Sequence, residues 1–263
     1  MMRRAAVLQP LGEALMVVVA AAAAGVTVGL LTGNGGHHSA AHRQAALASK
    51  TRTIRRHRTA AESASGVTLL AALRGTTGRY ASPDGRRIGW VPGDWYGARS
   101  ILPIISSRPG WVRVRLAQRP NGSTAWIPDS KVQLRSTPYR IVVDLATTHL
   151  TLYSHNREVF AAPAGVGTPG DPTPAGEYFV AFFEPPPTAG YGAFVLVTSA
   201  HSEAISDWEG SGDAVIGIHG PLGEAALIGL DGARISHGCI RLTDPALLRL
   251  RGVPAGTPID IVG

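Results

Sequence analysis

The 263-residue sequence predicts a mainly β protein in two folded regions, and three observations carry that expectation. Glycine (32) and proline (19) are abundant, which suits turn-rich β structure and argues against a helical bundle. Apolar and basic residues alternate with period two in Trp111-Val112-Arg113-Val114-Arg115-Leu116, the pattern of a half-buried strand. Only one helix is well marked: Asp244 caps it, Pro245 suits its first turn, Leu247, Leu248 and Leu250 form an apolar stripe, and Gly252 stops it. A hydrophobic content of 44% with 16% charged residues supplies a core and excludes global disorder.

The chain opens with Met1-Met2-Arg3-Arg4 and then an uncharged run from Ala14 to Leu31. At 1.5 Å per residue that run spans about 27 Å as a helix, close to a bilayer's hydrocarbon core. A cleaved secretory signal and an uncleaved single-pass anchor compete. The run exceeds the usual ~7–15-residue signal core and no small-x-small site follows it closely, so residues 1–31 read as an anchor in preference to a signal segment. Basic residues flank both sides (Arg3 and Arg4; Arg43 and Lys50), so charge does not set orientation, and an outside location is inferred from the chemistry below. Residues 32–66, rich in Gly, Ala, Ser, His and Arg, read as a flexible basic linker, with His37-His38 solvated instead of metal-binding.

Residues 67–137 read as a small β module. Pro83-Asp84-Gly85 turns into a strand at Arg87–Val91, Pro120-Asn121-Gly122 signals a hairpin after the alternating strand, and Ser123–Ile127 and Lys131–Leu134 supply returns. That much alternating strand suits a small β-barrel, and its tryptophans, Trp90, Trp95, Trp111 and Trp126, read as core before ligand contacts. Residues 138–263 read as a β-sandwich-like domain. Its strands are Arg140–Leu145, His149–Tyr153, Arg157–Pro163, Glu177–Phe183, Phe194–Thr198 and Val215–His219, with a Gly/Pro-rich loop at Gly165–Gly176.

The net charge of +7 is unevenly spread. Residues 1–66 carry 8 basic and 2 acidic side chains, residues 67–137 carry 11 and 3, and residues 138–263 carry 6 and 13. A nucleic-acid binder concentrates basic charge on its working domain, whereas here the chemistry-bearing region is acidic, so nucleic acid is not an expected partner. The basic front half suits proximity to anionic lipid or wall polymer. One cysteine excludes an intramolecular disulfide and an all-cysteine metal site.

That cysteine sits in Ser236-His237-Gly238-Cys239-Ile240-Arg241, with a second histidine upstream in Ile218-His219-Gly220. A free thiol, with a pKa of about 8.5, is only a few per cent thiolate at neutral pH, and an imidazole accepting its proton would leave a stabilising ion pair. Gly238 allows close backbone approach, amides around Cys239 suit an oxyanion, and the Arg241 fork suits a carboxylate. His237 and Cys239, two apart, could share a strand face, and His219 could approach from an adjacent strand; spacing alone leaves open which is the base. A zinc site on His219, His237 and Cys239 lacks a fourth ligand. The 165–176 loop leads into strand-like Tyr178-Phe179-Val180, against a phosphate cradle. Tyr191 and Trp208 could line a cleft or pack in a core.

His219, the gap and Ser236-His237-Gly238-Cys239-Ile240-Arg241 together resemble the signature of the bacterial L,D-transpeptidase catalytic domain. Tyr139-Arg140-Ile141-Val142-Val143-Asp144-Leu145, the Gly165-to-Gly176 loop and Tyr191-Gly192-Ala193-Phe194 support that resemblance. The 67–137 region, Trp111 to Ile127 above all, resembles bacterial SH3-like modules that accompany wall-acting enzymes. The resemblance implies Cys239 as nucleophile, His219 as its base oriented by the Gly220 carbonyl, and His237 and Gly238 shaping the catalytic turn. Arg241, Ser236 and Tyr191 would contact substrate. It implies two peptidoglycan stem peptides, as donor and acceptor, joined by a 3→3 cross-link at the extracytoplasmic face of the membrane, with neither metal nor organic cofactor. Two alternatives stand beside it: an L,D-carboxypeptidase using the same thiol, and a membrane-tethered, non-catalytic wall-binding protein.

Overall fold

The computed structural model describes residues 66–208, 210–230 and 232–263, so the predicted anchor and all of the linker except Gly66 lie outside the described residues. The first region supplies β1 (Thr68–Leu73), β2 (Thr77–Tyr80), β3 (Arg87–Val91), β4 (Asp94–Trp95), β5 (Ala98–Arg99), β6 (Ile101–Arg108), β7 (Trp111–Arg115), β8 (Thr124–Pro128) and β9 (Val132–Thr137). Seven of them form one sheet in the order β3-β2-β8-β7-β6-β1-β9, and β4 pairs with β5 as a separate hairpin.

The second region supplies β10 (Tyr139–Asp144), β11 (His149–Ser154), β12 (Arg157–Pro163), β13 (Val166–Gly167), β14 (Gly176–Glu184), β15 (Val195–His201), β16 (Val215–His219), β17 (Arg234–Ser236), β18 (Ile240–Arg241) and β19 (Pro258–Val262). They make an eight-stranded mixed sheet, β12-β11-β10-β19-β14-β15-β16-β18, and a two-stranded β13-β17 ribbon. Register shifts in the β11-β12, β14-β15 and β15-β16 pairs bend the large sheet. Leu150 and Leu152, near one end of the strand order, share a core cluster with Ile218 and Ile240 from the other. The layering expected of a sandwich therefore comes from one sheet curling around its own apolar face.

The helix α1 (Asp244–Leu248) forms where expected, with two local differences. Thr243, not Asp244, is its N-cap, and Leu248 faces solvent while Leu247 and Leu250 are buried. A one-residue shift at a helix start is within ordinary end-fraying, and the solvent-facing leucine narrows the stripe to one side.

Only Pro138 separates β9 from β10, and the two regions share packing. Phe179 of β14 belongs to the core cluster built from Leu73, Ile104, Val114 and Ile127 of the first sheet. Alternation predicts Arg113 and Arg115 together on a wet face; Arg113 is exposed, but Arg115 is buried and ion-paired with Glu177 of β14. Contact with the second region covers that end of β7, and the carboxylate offsets the charge so enclosed. The Asn121-Gly122 turn does a second job. Asn121 Nδ2 donates to His201 O (2.8 Å) and His201 N–H donates back to Asn121 Oδ1 (2.9 Å). Arg119 adds bonds to Asp213 Oδ1 (2.9 Å) and Ser202 O (3.1 Å). The tip of the β7-β8 hairpin thus grips both ends of the 202–213 loop, which carries Ile205 and Trp208 to the site below.

Candidate active site

β16 delivers His219 and pairs in parallel with β18, which places Ile218 opposite Ile240 and His219 opposite Arg241. Cys239 therefore enters at the edge of the same strand pair, and its Sγ accepts a hydrogen bond from Gly217 N–H (3.4 Å). Gly217 and His219 are two apart and share a face of β16; a Cβ on Gly217 would come within 3.8 Å of His219 Cδ2. The thiol and the imidazole occupy one small space, and both line the same cavities.

His219 is 1% exposed. Its Nδ1 lies 2.8 Å from Gly220 O, and since a carbonyl only accepts, Nδ1 carries the proton and Nε2 keeps the lone pair. Gly220 is itself fixed: its N–H donates to Tyr191 O (2.7 Å). A Cβ there would lie 2.6 Å from Gly192 N and 2.7 Å from Tyr191 C, so only glycine permits this approach. The Tyr191 ring stands 4.7 Å from the His219 ring, centroid to centroid. Burial, with a lesser contribution from the Arg241 charge, holds His219 down to about 4 against the bond to Gly220, so the ring is neutral at physiological pH. Burial pushes the Cys239 thiol up, opposed by the Gly217 N–H and Arg241. Burial therefore works against the charged form of both groups, in opposition to the ion pair expected from sequence.

A family model described as the YkuD L,D-transpeptidase catalytic domain matches residues 138–261. Two relatives, both provisionally named L,D-transpeptidase YkuD, are similar over 125 residues: that of Bacillus licheniformis at 33% identity and that of Bacillus subtilis at 30%. Each alignment covers 47% of this chain and 66% of the relative, just short of two thirds of its length. Among solved structures, an L,D-transpeptidase from Mycobacterium smegmatis aligns at 23% identity and TM-score 0.39, over 60% of this chain and 80% of that one. The LD transpeptidase LdtMt1 in complex with imipenem aligns at 19% identity and TM-score 0.40, over 81% and 85%.

Within the matched region the other predicted residues fall into distinct roles. Ser236 is buried and stitches the catalytic turn: its Oγ donates to Cys239 O (2.5 Å) and accepts from Gly238 N–H (3.1 Å). Gly238 sits at φ +115, a left-handed backbone that a side chain would strain, and its carbonyl accepts from Thr173 Oγ1 (2.7 Å). Thr173 also accepts from Gly167 N–H (2.8 Å), so the Gly/Pro loop braces the turn that carries the nucleophile. Arg241, expected to present its fork to a substrate carboxylate, lines the cavity at Cys239 but is buried and ion-paired with Glu224, and its charge acts as a field on His219 and Cys239. Tyr191, expected as a substrate contact, is buried and packs against His219, while it also lines a cavity shared with Cys239. His237 is about half exposed, with Nε2 3.8 Å from Asp171 Oδ2 and its ring 5.7 Å from that of Trp208.

Sequence reasoning missed Gly217, Thr173 and Glu224. Gly217 carried a usable signal, a glycine two residues before a predicted base within a strand, which marks close approach. Among the described residues no group of three or more His, Cys, Asp or Glu side chains is placed to hold a metal ion.

Proposed function

We propose that this chain is a cysteine-dependent peptidoglycan L,D-transpeptidase that forms 3→3 cross-links. One observation carries the reading: the only thiol in the chain shares an enclosed space with an imidazole whose Nδ1–H is locked on Gly220 O, leaving Nε2 free to take a proton. Cys239 Sγ attacks the carbonyl of the third residue of a stem tetrapeptide while its proton passes to His219 Nε2. Gly238 N–H is already committed to Ser236 Oγ, which leaves the Cys239 amide as the donor at the nucleophile for the developing oxyanion. His219 then protonates the departing D-alanine amine, leaving a thioester. An amine of a second stem attacks that thioester, its proton returns through His219 to sulfur, and the cross-link is released with the thiol restored. Proton transfer coupled to attack suits a resting pair in which neither group is charged.

The chain is placed at the extracytoplasmic face of the membrane, with residues 1–31 as its anchor, residues 32–66 as tether and the seven-stranded sheet over 67–137 as an SH3-like module. Its partners are stem peptides, and no step above uses a cofactor. The LdtMt1 structure is a complex with imipenem, and a carbapenem is accordingly the first probe. Intact mass should show one carbapenem adduct on the purified protein and none on Cys239→Ser, and the same substitution should abolish dimer formation from tetrapeptide stems. Cross-linking that survives Cys239→Ser refutes the reading. A product that is only trimmed tripeptide reassigns the chain as an L,D-carboxypeptidase.

A further inference from the structure

Two cavities meet at the reactive pair, sharing Val215, His219 and Cys239. One is walled by Ile205, Trp208 and His237 and opens beside the catalytic turn. The other is lined by apolar Phe182, Val195 and Val197, by Glu184, and by Tyr96 from the β4-β5 hairpin of the first region. A two-substrate acyl transfer needs two approaches to one sulfur, and these two differ in chemistry.

Tyr96 is held where an aromatic is disfavoured. With Gly97 it forms the two-residue turn between Trp95 and Ala98, and both central residues have positive φ, +50 and +76. Asparagine or glycine occupies such a turn readily, whereas a bulky side chain is strained there. Packing holds it there: the Trp95 ring stands 5.8 Å and the Tyr96 ring 6.2 Å from that of Phe182. Glu184 is the cavity's one carboxylate, and no cation pairs with it among the described residues. Burial pushes its carboxyl up, and its charge, after burial and Asp213, helps push the Tyr96 phenol up, which places the two groups within each other's field.

We infer that this second cavity receives the amine acceptor, with Glu184 taking the ammonium and Tyr96, supplied by the first region, walling its alkyl chain. The inference rests on the acyl-transfer reading above and adds to it a specificity-determining role for the hairpin. An ammonium held on Glu184 passes one proton to that carboxylate and thence to solvent, and the neutral amine attacks the thioester carbonyl. The C–N bond forms, the C–S bond breaks, and the second amine proton travels by His219 to Cys239 Sγ.

The test measures the ratio of cross-linked dimer to hydrolysed tripeptide, counted per acyl-enzyme formed, with a tetrapeptide donor and a stem peptide bearing a free side-chain amine as acceptor. The full-length chain is compared with Glu184→Gln and with Tyr96→Asn, a substitution that suits the turn and so spares the fold. Glu184→Gln should lower the ratio about tenfold, the usual scale for losing one charged contact, and Tyr96→Asn about threefold. Raising the acceptor concentration should restore the ratio in both, since the loss is in acceptor binding. A ratio unchanged in both variants, on an acyl-enzyme that forms, overturns this inference alone. Failure of the unsubstituted protein to form any acyl-enzyme overturns the acyl-transfer reading and this inference with it.

Discussion

The two histidines of the site occupy opposite kinds of surroundings. His219 is buried against Tyr191, with one nitrogen tied to Gly220 O and its pKa held down to about 4. His237, two residues from the nucleophile in sequence, is half exposed between Asp171 and Trp208. The same imidazole is given two tasks by burial and by one hydrogen bond. A base must be neutral, aimed and dry, and only the sequence-distant ring meets all three conditions. Proximity along the chain is a poor guide to which group takes the proton.

That contrast can be broken by substitution. The largest effect belongs to His219→Ala, which should slow acylation of Cys239 by a carbapenem about 10²–10⁴-fold, the range for removing a positioned general base, read by quenched-flow intact mass. Gly220→Ala should come next. Its Cβ would press on the Tyr191–Gly192 backbone, moving the carbonyl that aims His219, so acylation should fall up to about a hundredfold with a lowered melting temperature. His237→Ala should have the smallest effect, less than about tenfold, because an exposed ring touching Asp171 and Trp208 shapes the entrance without moving the proton. A His237→Ala loss equal to that of His219→Ala would erase the distinction.

Much of the fold was legible where side chains alternate. Val112 is buried between wetter neighbours, as period two requires, and β10, β11 and β12 fall within a residue or two of their expected limits. The strands that escaped notice lacked that signal. β1 reads Thr-Leu-Leu-Ala-Ala-Leu and is buried at all but Leu69, so no alternation shows, and β6 carries Pro103, which argues against a strand on sequence grounds. At the site, Cys239, His219 and Gly220 were legible because they form short local motifs. The ionisation of the pair was not, since burial of His219 depends on Tyr191 returning from 28 residues upstream. The Arg241–Glu224 pair and the reach of Tyr96 toward the thiol are likewise products of tertiary folding, invisible to spacing.

The central claim is that Cys239 rests as a thiol beside an uncharged His219, and a thiolate titration tests it most directly. Ultraviolet difference absorbance between the unsubstituted protein and Cys239→Ser, followed from acid to alkaline pH, should show no thiolate at neutral pH. The signal should rise only at or above the ordinary thiol range of about 8.5, since burial pushes this thiol up. A thiolate already formed near neutrality, and lost in His219→Ala, would reveal a standing ion pair and contradict the account.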